Sequence, residues 1–215
     1  MADEPTFLRQ IARHEMTIEL DQGVHRSIRF GRPGSSTYYF RLNTWPGHLS
    51  ICGDMGTFVF TRFSDMFKFF RDDGMKNRIN LGYWSEKLTA HDKHSGHMKF
   101  SPELFQQAIR ERFEQWDFDR DDAKAKALAH LEDEWDGLLG ATPDNAADAI
   151  RAAEDYTCPV TDNSFPEMWD YRLDDYTHHF VWCCRAIVWG IKRYDLQKQG
   201  RTQADHDRRV LSGMS

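Results

Sequence analysis

Between Met16 and Arg62 the chain is cut into short alternating runs by turn-forming residues, a spacing that only an antiparallel sheet satisfies with such brief connections. Met16, Ile18 and Leu20 alternate with Thr17 and Glu19 before Asp21-Gln22-Gly23 turns the chain into the run Arg26 to Gly31. Pro33-Gly34-Ser35-Ser36 leads into Thr37 to Asn43, Trp45-Pro46-Gly47 into His48 to Cys52, and Gly53-Asp54-Met55-Gly56 into Thr57 to Arg62. The reading is a β-meander of about five strands.

Side chains alternate across a strand, so these runs sort onto two faces. Ile28 and Phe30, then Tyr38, Phe40 and Leu42, then Leu49 and Ile51, then Phe58 and Phe60 fall on the core side. The opposite side carries Ser27 and Arg29; Thr37, Tyr39, Arg41 and Asn43; His48, Ser50 and Cys52; and Thr57 and Thr61. From Gln22 to Gly53 there is no acidic residue, while Arg26, Arg29, Arg32, Arg41, His25 and His48 occur there, a pattern that puts cations on a sheet surface. An exposed antiparallel face is ordinarily a solvated one. Arginine forks beside a tyrosine ring instead suit an anionic or planar ligand, because they combine bidentate pairing with stacking. The candidate binding residues are therefore Arg29, Tyr39, Arg41, His48 and Ser50.

The rest of the chain reads as helical. Asp65 to Arg71 forms a short apolar helix stopped near Gly74, and Met75 to Met98 is rich in loops. Ser101-Pro102-Glu103 opens a helix with Phe105, Ile109, Phe113 and Trp116 on one face. Leu128, Leu131, Trp135 and Leu138 repeat the pattern, and Thr142-Pro143-Asp144 starts a third, alanine-rich helix. Ser164-Phe165-Pro166-Glu167 has the form of a capping box, after which Trp169, Leu173, Tyr176, Phe180, Cys184, Ile187, Ile191 and Tyr194 make one continuous stripe. The expectation is an α+β fold over 1–215 as a single domain: a sheet in 1–74, a loop-rich connection in 75–100, and about four helices in 101–215 packed against the sheet.

Charge separates the two halves. Residues 1–100 carry 14 Lys and Arg against 11 Asp and Glu, and residues 101–215 carry 14 against 23. The acidic balance argues against duplex binding, which needs a row of phosphate-neutralising cations, yet leaves room for a local anion site in the first half. The carboxylates Glu132, Asp133, Glu134 and Asp136 read as a solvated face.

Cys52, Cys158, Cys183 and Cys184 lack metal-ribbon spacing and form no disulfide framework, which points to a reducing, cytoplasmic setting. The longest apolar segment, Phe180 to Ile191, is too short to span a bilayer and contains Arg185, itself read as a structural ion pair or an anion ligand. His91, His94 and His97 suggest metal chemistry, but no nearby cysteine completes a ligand set and a solvated loop accounts for them. The series Asp170, Asp174, His178 and Asp175, His179, Cys183 align on helix faces without requiring a function. No metal or cofactor is expected. G-x-S-x-G, P-loop, G-x-G-x-x-G and H-E-x-x-H patterns do not occur in the chain.

Trp45-Pro46-Gly47, Cys52-Gly53-Asp54-Met55-Gly56, Phe58-Val59-Phe60-Thr61-Arg62, Asp65-Met66-Phe67 and Phe69-Phe70 resemble a family of small proteins from tailed bacteriophages and prophages. Tyr83-Trp84-Ser85-Glu86-Lys87, Trp182-Cys183-Cys184, Trp189-Gly190-Ile191 and Tyr194-Asp195 extend the likeness over most of the chain. The resemblance implies an accessory protein in the cytoplasm of a bacterial host, and with it a non-enzymatic counter-defence inhibitor, anti-CRISPR-like or a binder of a defence nucleotide. Its expected partner is a host defence protein or an anionic nucleotide-like ligand, not a membrane. Two other readings remain open: an enzyme processing nucleotides or nucleic acid with His48 or the histidine tract as base or ligand, and a replication accessory that binds single strands.

Overall fold

A computed structural model describes residues 3–73, 79–93, 96–135, 137–141 and 143–200, without the side chains of 72, 73 and 121. Gly74, His94, Asp136 and Thr142 lie outside the described residues. The fold is α+β, and its contacts divide it into two compact units, Met1–His97 with Tyr176–Ser215, and Met98–Asp175.

The first unit is built on a six-stranded antiparallel sheet in sequential order: β1 (Glu15–Gln22), β2 (His25–Gly31), β3 (Phe40–Trp45), β4 (His48–Gly53), β5 (Gly56–Thr61) and β6 (Leu88–His91). The sixth strand comes from the segment expected to be loop. Three helices of this unit precede the return of the chain: α1 (Glu4–Ile11), α2 (Met66–Asp73) and α3 (Leu81–Ser85). Helix α1 was not anticipated, although Asp3 caps Thr6 N–H at 2.7 Å and Pro5 stands in the first turn.

Turn chemistry sets the hairpins. Pro46-Gly47, with Gly47 at φ +82°, links β3 to β4, and Asp54-Met55 links β4 to β5. Gly53 is required by close approach: a Cβ there would lie 2.1 Å from the Tyr39 carbonyl oxygen. Asp54 then accepts the Tyr38 N–H at 2.7 Å. Much of the Cys52–Gly56 motif is thus the packing of one hairpin against the residues ahead of β3.

Those residues depart from the expected strand. Tyr38 takes a left-handed φ of +57°, so β3 begins at Phe40 instead of Thr37. Its ring still packs on the core, stacked on Trp182 at 5.9 Å. The remaining core-side assignments hold: Ile28, Phe30, Phe40, Leu42, Leu49, Ile51, Phe58 and Phe60 are all buried. Arg26 shares their parity and lies on this side too, 9% exposed, not on the outer surface with the other cations. It pairs with Asp65 at 2.9 Å and lies over the Phe67 ring at 4.6 Å.

Helix α7 (His178–Lys198) covers the core face, Gly190 approaching so closely that a Cβ would meet Leu42 Cδ1 at 2.9 Å. Trp182 packs edge-on to Phe40 and Phe7 while its indole N–H donates to Gln10 at 2.8 Å. Arg185 pairs with Glu4 at 3.9 Å, the structural role among its two readings.

The second unit holds α4 (Pro102–Phe113), α5 (Asp121–Leu131), α6 (Ala146–Asp155) and a 3-10 turn (Met168–Asp170). Strands β7 (Met98–Phe100) and β8 (Asp174–Tyr176) pair where the chain leaves and rejoins the first unit. Ser101 caps α4 as expected, with Phe105, Ile109 and Phe113 buried. Helix α5 ends at Leu131, so Trp135 is off the helix and 84% exposed. Glu132, Asp133 and Glu134 are exposed there.

The expected long final helix is interrupted. Ser164 bridges to Thr157, Glu167 has φ +59°, and Thr177 caps a helix that starts only at His178. Phe165, Met168 and Leu173 belong to the second unit's core, whereas Phe180, Cys184, Ile187, Ile191 and Tyr194 belong to the first. One apolar period therefore served two cores. Asp170, Asp174 and His178 consequently do not share a helix face, and neither do Asp175, His179 and Cys183.

Candidate functional site

The outer face of the sheet is fixed by register. One row across it reads Thr17, Arg29, Arg41, Cys52, Thr57; the next reads Leu20, Ser27, Asn43, Ser50, Val59, Ala90; beyond it Trp45 pairs with His48 and His48 with Thr61. All of these side chains are exposed or half-buried, and none is buried. The polar face expected from alternation is present, with Val59 and Ala90 among its members.

Arg29 and Arg41 are directly opposed on β2 and β3. A bulge between Ile18 and Leu20 adds Glu19 to β1, and Glu19 pairs with Arg41 while accepting from Ser27 Oγ at 3.1 Å. One carboxylate thus serves one of two adjacent guanidinium groups, leaving Arg29 with no ion pair among the described residues. Tyr39 precedes β3, yet the missing side chain of Gly31 brings it to this corner. A Cβ on Gly31 would lie 3.3 Å from Tyr39 Cβ and 3.4 Å from Arg29 Nη2. Arg29, Tyr39 and Arg41 therefore form one cluster.

His48 and Ser50 belong elsewhere. His48 is two pleats along the face from Arg41, about 13 Å at the usual rise per residue. Its ring lies flat on Trp45, centroids 5.1 Å apart and 8° from parallel, and its Nδ1 donates to the Pro46 carbonyl at 3.1 Å. Trp45 is 39% exposed and offers the stack's open side. The sequence places Trp45 in a turn and in the resemblance but not among the binding residues; its parity with Arg41 and Asn43 was the available signal. Ser50 sits midway among small side chains, with no hydrogen bond to His48.

Cys52 stands beside Arg41 and accepts weakly from Asn43 Nδ2 at 3.8 Å. Burial pushes its thiol up and outweighs the opposing pull of Arg41, so it is protonated at neutral pH and no activated nucleophile. The other cysteines are buried, and burial pushes the Cys183 and Cys184 thiols far up. His91 and His97 rings lie 6.2 Å apart; burial, then the neighbouring His91, lowers the His97 pKa. Among the described residues no group of three or more His, Cys, Asp or Glu is placed to hold a metal. No described helix is long and apolar enough to cross a membrane.

Chemically the face can pair an anion at the Arg29–Tyr39–Arg41 corner and stack a planar or cationic group at Trp45–His48. The two ends are too far apart for one small molecule to use both by direct contact. Comparison with protein-family models, with curated proteins and with solved structures finds no match to this chain.

Proposed function

We propose that the chain is a bacteriophage or prophage accessory protein that binds and inhibits a host defence protein through the outer face of its sheet, without catalysis. The phage assignment rests on the resemblance carried by the Trp45–Gly47, Cys52–Gly56 and Asp65–Phe70 motifs. The observation that carries the binding surface is the arrangement of its anchors, an arginine pair with a tyrosine at one end and an exposed tryptophan stack about 13 Å away. Arg, Trp and Tyr are the residues that most often dominate protein–protein binding energy, and that spacing matches a macromolecular footprint. Small side chains at Ser27, Asn43 and Ser50 leave the middle of the face low enough for a partner to seat against it.

A second reading keeps the same residues and changes the partner to a single-stranded nucleic acid, pairing phosphate at the arginines and stacking a base on Trp45. Salt separates the two: binding to nucleic acid weakens steeply as ionic strength rises, whereas a protein complex keeps a defined stoichiometry. The deciding experiment is native mass spectrometry of the full chain recovered from a bacterial host lysate, beside Arg29→Ala/Arg41→Ala and Trp45→Ala variants. A stoichiometric protein retained by the natural chain and lost from both variants supports the proposal. The same protein retained by all three would remove the outer face from it.

A further inference from the structure

In the first unit, the C-terminal end of α1 and the loop from β2 to β3 line a cavity of about 330 Å³ to which Arg9, Arg13 and Arg32 contribute, with no carboxylate. We propose that this cavity is a binding site for a small phosphate-bearing molecule, held by those three arginines with the hydroxyls of Ser35 and Thr37. It is independent of the outer face.

Arg9 and Arg13 alone would be accounted for by the helix dipole, since cations at a helix C-terminus are favourable. Arg32 is not: it comes from the acid-free stretch on the far wall, and neither it nor Arg13 has an ion pair among the described residues. Three cations facing one concavity repel one another unless an anion shares them, and guanidinium forks match the oxygens of a phosphate. Ser35 and Thr37 add hydroxyl donors on the same wall. The volume is at the small end of ligand pockets, suited to a phosphate with a modest attached group.

The fourth element is His14, a wall residue only 7% exposed. Its Nε2 donates to the Tyr38 carbonyl at 2.9 Å, which leaves Nδ1 buried and without a hydrogen-bond partner among the described residues. A buried polar atom left unpaired is costly and rare in folded proteins.

Tyr38 completes the wall in a left-handed conformation that few non-glycine residues adopt. Asp54 on its N–H, His14 on its carbonyl, Gln10 on its hydroxyl at 3.0 Å and the Trp182 ring hold it there. Gln10 also receives the Trp182 N–H, so the wall is tied directly to the core helix. Pre-organisation of this kind lowers the cost of ordering a site on binding.

The test is isothermal titration of the full chain at constant ionic strength with inorganic phosphate and, separately, a nucleoside 5′-monophosphate. One-site saturable binding is expected, weakened about tenfold or more by Arg32→Ala and by Arg13→Ala, as for loss of one charge-assisted contact. Arg29→Ala and Arg41→Ala should leave it unchanged, which separates this site from the outer face. Both cavity variants replace exposed arginines and should keep the thermal midpoint of the natural chain. The ¹⁵N signal of the His14 ring should move with saturation. Tighter binding of the monophosphate identifies the phosphate as part of a nucleotide; equal affinity identifies the phosphate group alone as what is read. Absence of saturation at millimolar phosphate with either probe, or unchanged affinity in Arg32→Ala, overturns the proposal.

Discussion

The two faces of the sheet are written in the same strands, one residue apart, and obey different rules. On the inner face Phe30 and Phe40 stack on each other and pack against Trp189, with Trp182 edge-on to Phe40, while Phe58 and Phe60 pack against Phe180 of α7. On the outer face the neighbouring positions are Arg29, Arg41, Ser50 and Cys52, none of them buried. Because a one-residue slip would exchange the faces, the inner aromatics hold the register for both. The inner face therefore places the outer side chains, and the outer face is left free to be chosen for what it binds.

Phe40→Ala gives the largest expected effect on that contrast. It empties the centre of the stack with Phe30, Trp182 and Trp189 and should destabilise by about 3–5 kcal/mol, read by chemical denaturation. A loss below about 1 kcal/mol would mean that the inner face does not hold the register.

Asp65→Asn comes next, at about 2 kcal/mol, because it leaves the buried Arg26 guanidinium without its carboxylate. This pair also sharpens the comparison with pH. Burial raises the Asp65 carboxyl, but the hydrogen bond and charge of Arg26 outweigh it and hold the group below its ordinary value. A depressed folded value means the unfolded chain binds the proton more readily. The stability it contributes is complete above the ordinary aspartate range near about pH 4 and is lost as pH falls through the folded value. Asp65→Asn should therefore flatten the acid limb of the stability curve, and an unaltered limb would show that the pair is not coupled to folding.

On the outer face Arg41→Ala should change stability by no more than about 0.5 kcal/mol, since its pair with Glu19 is solvent-exposed. Partner capture is the readout there. Trp45→Ala should likewise leave the melt nearly unmoved while removing the stack on His48. A substantial fall in melting temperature for either variant would make the outer face structural, and the contrast between the faces would fail.

Much of this was legible because it is local. Alternation sorted Ile28, Leu42, Leu49, Ile51 and four phenylalanines onto one side, and Ser101 announced the start of α4. Arg26 was expected on the sheet surface with the other cations; its parity with Ile28 and Phe30 was the unused signal for the buried position it takes. The candidate site was half legible for the same reason: Arg29, Arg41, His48 and Ser50 were assigned to the correct face, but their grouping along it was not.

The sequence by itself determined which residues could be strands, turns and caps, because those preferences act within a few residues and are written in side-chain period and turn chemistry. Tertiary structure decided what distant partners require. The stripe from Trp169 to Tyr194 was divided where Leu173 joined one core and Phe180 another. The bulge at Ile18/Leu20 set Glu19 against Arg41, and the fold brought the β2–β3 loop, with its left-handed Tyr38, beside the end of α1, where three arginines line one cavity. Each depends on contacts between residues far apart in the chain, where burial and charge pairing outweigh the local period that a sequence displays.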